Sequence, residues 1–124
     1  MQLAQSTQNH ILILTPQKGN LDATNVSEFK VNVINLMRGS EKRIILDLHH
    51  LNFIDSAGLG CFLFILRTVH NEGGELKLAC MSKFVRSIFD LLSMNKIFDI
   101  FSSLEEALNS FKDSSLPLPP GDTT

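Results

Sequence analysis

Over residues 46–69 the most apolar extended run of the chain is joined to its most apolar helical run through one polar corner, Asp55-Ser56-Ala57-Gly58. Ile44, Ile45, Leu46 and Leu48 are β-branched or aliphatic, the composition of a buried strand, and a short irregular segment follows them. Beyond the corner the apolar pattern continues from Leu59 through Leu66 and Val69 to a Gly73-Gly74 stop. That length exceeds a typical strand, so the spacing predicts a central helix starting at the corner. Ser56 then stands where a side chain can accept from backbone N–H groups that lack an intrahelical partner. A hydroxyl there is a helix cap, a phosphate acceptor, or both.

The remaining elements alternate in type. Residues 10–14 alternate and are β-branched, which predicts a strand, paired with a shorter one near Leu3, and residues 15–20 turn the chain. Val26, Phe29, Val33, Ile34 and Met37 recur at helical spacing up to Gly39, with Thr24 or Asn25 as the cap. Lys42-Arg43 open the strand over residues 44–48. After Gly74, residues 75–80 alternate as a half-covered strand would, with Leu76, Leu78 and Cys80 on one side. Met81-Ser82 start a helix with the stripe Phe84, Val85, Ile88, Leu91 and Leu92, ended by Met94-Asn95. Residues 97–101 form a last strand. The Ser103-x-x-Glu106 pattern is a capping box for a final helix that buries Leu104, Ala107, Leu108 and Phe111. Strands and helices in this order, joined by short loops, predict an α/β domain with a largely parallel sheet and antiparallel opening strands. Residues 113–124 carry Pro117, Pro119, Pro120 and Gly121 and no core pattern, which predicts a flexible tail.

Composition narrows the function classes. A chain of 124 residues fits one domain with a core of its own. Its 11 basic and 13 acidic side chains give a net charge of −2 without a basic stripe, which argues against a nucleic-acid partner. Cys61 and Cys80 each lie among apolar residues, as free thiols of a reducing cytoplasm do. The first nine residues lack the basic start and apolar core of a secretory signal, and no apolar run reaches the length of a membrane span. The expectation is a soluble cytoplasmic protein without a membrane partner.

A serine beside an aspartate, with histidines nearby, raises the question of hydrolase chemistry. The nucleophile elbow needs glycine two residues before and after the serine, and Ile54 occupies the first position although Gly58 fills the second. His49 and His50 are adjacent, and on an extended chain they point to opposite sides, so they do not form a ligand pair. There is no paired Cys or His spacing for zinc, no calcium loop, no dinucleotide fingerprint around Gly58-Leu59-Gly60 and no phosphate loop. No metal or cofactor is expected. Gly58 and Gly60 fit a first helical turn that another backbone or a partner approaches closely. Asp22 reads equally as a turn residue and as a functional one.

In Gly19-Asn20-Leu21-Asp22-Ala23, in Leu46-Asp47-Leu48 running into Phe53-Ile54-Asp55-Ser56-Ala57-Gly58-Leu59-Gly60, and in Ser103-Leu104-Glu105-Glu106-Ala107-Leu108, the chain resembles the STAS-domain anti-sigma-factor antagonists of bacteria. The likeness runs to about Phe111. It implies a single STAS-like domain over residues 1–112, with a mixed, mostly parallel sheet and about four helices, ahead of the tail at 113–124. It also implies a regulator and not an enzyme. In that family the unphosphorylated protein binds a serine kinase that is also an anti-sigma factor. The kinase phosphorylates the serine matching Ser56, and a serine phosphatase acting on phospho-Ser56 restores binding. The partner surface expected here comprises Asp22, Thr24, Asn25, Asp55, Ser56, Ala57, Gly58, Leu59 and Ser82. His49-His50 departs from the small polar residue that relatives often carry there. The alternatives are a STAS scaffold subunit that is never phosphorylated, and a partner switch whose output is not a sigma factor.

Overall fold

A computed structural model describes residues 2–39 and 41–115. Its core is a five-stranded sheet built from β1 (Leu3–Gln8), β2 (Ile11–Pro16), β4 (Arg43–Asp47), β6 (Glu75–Ala79) and β7 (Asp99–Phe101), in the order β1-β2-β4-β6-β7. β1 runs antiparallel to β2, and every other pair is parallel. The parallel steps are made by α1 (Val26–Leu36), α2 (Ser56–Asn71) and α3 (Lys83–Leu91). Each step moves one strand further in the same direction, so crossovers of one hand place all three helices on one face of the sheet. There Phe29 and Val33 of α1, Phe62 and Ile65 of α2, and Val85 and Phe89 of α3 join Leu14, Ile44, Leu46 and Leu78 in the main core. The last helix, α4 (Leu104–Ser115), covers the other face, where Ala107 and Phe111 meet Ile11, Ile13, Ile45 and Ala79. The single α/β domain, its mixed and mostly parallel sheet and its four helices agree with the sequence pattern.

Several local details differ from the pattern. β6 is not half-covered, since all residues from Leu76 to Ala79 are buried. Lys77 lies under α4 with its ammonium 5.4 Å from the Phe101 ring centroid, 4.6 Å from that of Phe111 and 3.9 Å from Asp99. A cation with this aromatic and acidic surround reads as polar in sequence yet is interior in space. α3 stops at Leu91. Ser93 then takes a left-handed conformation (φ 58°), and a 3₁₀ turn over Met94–Lys96 shortens the last strand to Asp99–Phe101. At α4 the capping box forms as expected, the Glu106 N–H donating to Ser103 Oγ at 3.1 Å, but the Glu106 carboxylate accepts from the N–H of Ser102 at 3.2 Å. α4 extends past the expected end at Lys112, so the first three residues of the tail expected over 113–124 are helical; its remainder, from residue 116 onward, lies outside the described residues.

Two very short strands complete the fold. β3 (Asn20–Leu21) and β5 (Phe53–Ile54) pair in parallel as a separate two-stranded sheet, with Asn20 opposite Phe53 and Leu21 opposite Ile54. Two residues are too few to show an alternation, so neither strand is visible in the sequence. The pair binds the segment before α1 to the segment before α2.

Candidate functional site

The polar corner is held from both sides. Gly19 O accepts from the N–H groups of Asn52 (2.7 Å) and Phe53 (3.0 Å), and Leu21 O accepts from that of Asp55 (3.3 Å), which extends the β3–β5 ladder into the start of α2. Asp55, not Ser56, is the N-cap of α2. Its Oδ1 accepts from the Gly58 N–H at 3.0 Å while its Oδ2 accepts from the Ala23 N–H at 3.2 Å, so one carboxylate closes the helix and ties it to the loop before α1. A carboxylate outcompetes a hydroxyl here because it offers two acceptors and a negative charge at the positive end of the helix.

The loop over residues 20–25 is cross-linked around Asp22. Asn20 Nδ2 donates to Asp22 Oδ2 (2.8 Å), and the Thr24 N–H (2.9 Å) and Thr24 hydroxyl both donate to Asp22 Oδ1. The Thr24 hydroxyl first, then the Asn20 amide and the Thr24 N–H, hold the Asp22 carboxyl below its ordinary value. Asn25 occupies the N-cap position of α1 without capping it. Its amide instead accepts from the Asp22 N–H (3.0 Å) and donates to Asn20 O (2.9 Å).

Ser56, the first residue of α2, is exposed, and its hydroxyl takes no hydrogen bond among the described residues. The first N–H groups of a helix have no intrahelical partner, and here the capping carboxylate engages that of Gly58. Those of Ser56 and Ala57 are left beside an unengaged hydroxyl. Of the other expected surface residues, Asp22, Thr24, Asn25, Asp55 and Ala57 are exposed or half-buried around it. Gly58 and Leu59 are not surface residues. Leu59 is 7% exposed within the main core, and a Cβ on Gly58 would lie 2.6 Å from both Ile54 Cγ1 and Leu21 O, so these two shape the corner from below. Ser82 caps α3 by accepting from the Val85 N–H at 3.2 Å, and α3 reaches the corner through Phe84, stacked on Phe53 at 6.0 Å between ring centroids.

The sequence pattern puts Phe84 in the apolar stripe of α3 and does not mark its pairing with Phe53. Phe53 is 45% and Phe84 48% exposed. A second feature beyond the predicted surface is the groove between α1 and α2 beside Ala57, where Lys30, Phe64 and Arg67 line an open volume of about 500 Å³. Its signal is legible in retrospect: 57, 60, 64 and 67 recur at helical spacing on the side of α2 away from the buried stripe. His49 and His50 also depart from expectation. They sit in a turn and not on an extended chain, so their rings approach to 3.8 Å, and His49 Nδ1 lies 2.9 Å from the buried Asp47 carboxylate. Among the described residues no group of His, Cys, Asp and Glu is arranged to hold a metal ion. Cys61 and Cys80 are both free; burial pushes the Cys61 thiol up to about 11 and raises that of the half-buried Cys80 as well.

Fold and site together define a single-domain α/β module that presents one serine on an exposed, hydrogen-bonded corner at a helix start. The STAS domain profile matches residues 2–107, and the chain belongs to the STAS-domain family. BtrV of Bordetella bronchiseptica, which carries the provisional name of an anti-sigma factor antagonist, is 30% identical over 106 residues, 86% of this chain and 90% of that one. The anti-sigma-B factor antagonist of Bacillus subtilis is 30% identical over 88 residues, 70% of this chain and 79% of the other. The crystal structure of TM1081 from Thermotoga maritima, another provisionally named anti-sigma factor antagonist, superposes with a TM-score of 0.81 at 26% identity, covering 87% of this chain and 92% of that one.

Proposed function

We propose that this protein is an anti-sigma factor antagonist working as a partner switch. Unphosphorylated, it binds a serine kinase that is also an anti-sigma factor; phosphorylated on Ser56, it is released, and a serine phosphatase resets it. The observation that carries the reading is the exposed Ser56 hydroxyl, unengaged by the described residues, on the first residue of α2. The names of the curated relatives support the antagonist role. A regulator and not an enzyme is the role that matches the names of those relatives. The partner-switch reading puts the protein in the cytoplasm. Among the described residues no helix is long and apolar enough to cross a membrane.

The chemistry of the corner fits a switch. A phosphate on Ser56 meets the positive end of the α2 dipole and the N–H groups of the first turn, so the domain itself tolerates it. Toward a partner the same phosphate adds about −1.5 to −2 charges beside Asp55. A charge buried at an interface without a counterion typically costs about 2–5 kcal/mol, enough to weaken binding at least tenfold. The test is incubation with ATP and candidate serine kinases, followed by intact-mass measurement and titration of both forms against the kinase. One added phosphate on the wild type, none on Ser56→Ala, and weaker binding by the phosphorylated form are expected. No added phosphate with any kinase that binds would make the protein a scaffold subunit instead.

A further inference from the structure

Gly60 has no internal reason to be glycine. It lies within α2, where glycine is a poorer helix former than alanine, and a Cβ built on it meets nothing within 4 Å. What its missing side chain does is deepen the open groove between α1 and α2. The groove carries an exposed ring and two cations. Phe64 is 44% exposed, Lys30 Nζ sits 4.4 Å from its ring centroid, and Arg67 lies one turn further along α2. No Asp or Glu lines the groove, and neither Lys30 nor Arg67 pairs with a carboxylate among the described residues. In a chain of net charge −2, this is a local cationic and aromatic strip that begins at Ala57, next to the serine.

We propose that this groove is the docking site for an acidic segment of the kinase partner, with one bulky apolar side chain seated over Gly60 against Phe64 and flanking carboxylates facing Lys30 and Arg67. The inference rests on the partner-switch reading and adds to it the chemistry of the segment recognised. Charge selects the acidic occupant, and the exposed ring selects one with an apolar anchor. A nucleic acid would call for a longer track of cations than two. The position of the groove gives it a role distinct from that of the serine. It starts at Ala57 and runs along α2 away from Ser56, so it can hold the kinase while Ser56 is presented.

The test uses the full chain and the kinase that transfers phosphate from ATP to Ser56. Affinities are measured at low and high salt for wild type, Gly60→Met, and the double variant Lys30→Glu/Arg67→Glu, with thermal melts to establish that each is folded. The expected result is an affinity loss of at least about tenfold for both variants, with a flattened salt dependence for the charge reversal. Lysine replacements of the matching kinase carboxylates should restore binding to the double variant. Wild-type affinity in folded variants overturns the groove assignment alone and leaves the switch intact. Wild type that binds no serine kinase overturns both. Self-association of the wild type that Gly60→Met abolishes assigns the groove to a second copy of the chain and overturns the proposal.

Discussion

Gly58 and Gly60 stand two positions apart on one helix and obey opposite constraints. A methyl group on Gly58 would come within 2.6 Å of Ile54 and of Leu21 O, so Gly58→Ala should lower stability by about 1–3 kcal/mol through overpacking. Gly60→Ala meets nothing and should raise stability by about 0.8–1 kcal/mol. Thermal melts of the two variants should therefore move in opposite directions. The sequence places both glycines in the first turns of a helix and suits both to close approach; only the path of Leu21 O, set by the β3–β5 pairing, tells them apart. The same reasoning reassigns the cap. Because Asp55 closes α2, Asp55→Ala should cost about 0.5–2 kcal/mol, while Ser56→Ala should stay within about 0.5 kcal/mol of wild type. If the melts showed the reverse order, Ser56 would be the structural residue and its hydroxyl would not be free for modification. For the cysteines, the Cys61 thiol at about 11, and buried, should be inert to a thiol reagent at neutral pH in the native protein and react once it is unfolded.

At the scale of elements, the long segments were legible and the short ones were not. α2 and β4 are recognisable because one long apolar helix and one β-branched run leave no competing period, and the capping box marks α4 directly. β3 and β5 leave no such trace, yet they position the candidate site. The order within residues 20–25 comes from Asn20 and Thr24 bonding the Asp22 carboxylate and from the Asn25 amide bridging Asp22 N–H and Asn20 O, which the sequence shows only as a cluster of turn residues. That arrangement has a pH dependence. Hydrogen bonds lower the Asp22 pKa in the folded state, so its contribution to loop order is complete above the ordinary carboxylate value of 3.8 and is lost as pH falls through the lower folded value. The Thr24 amide resonance should titrate below pH 3.8 in the native protein and show no such step in Asp22→Asn. A step at or above the ordinary value would mean that the carboxylate is not held as the loop geometry indicates.

For the whole molecule the question is whether a phosphate on Ser56 acts locally or by rearranging the domain, and the architecture favours the local answer. α2 is anchored along its length by Leu59, Phe62, Ile65, Leu66 and Val69, all buried, and its first turn is fixed by Asp55 to the loop before α1. The strands β2, β4 and β6 beneath it are buried between the helices of one face and α4 on the other. Close-packed interiors of this kind resist graded deformation. Added charge at the exposed end of α2 should stay where solvent and helix N–H groups accommodate it. Backbone NMR shift changes on phosphorylation should therefore be confined to residues 20–25, residues 53–60 and the adjoining groove, with the strands of the large sheet unmoved and kinase affinity lost. Ser56→Asp should reproduce the effect only in part, because aspartate carries one charge where the phosphate carries about −1.5 to −2 and has a shorter reach. Shifts spreading through β4 and β6 would instead require a second packing of the same core, and the release of the partner would then be conformational and not electrostatic.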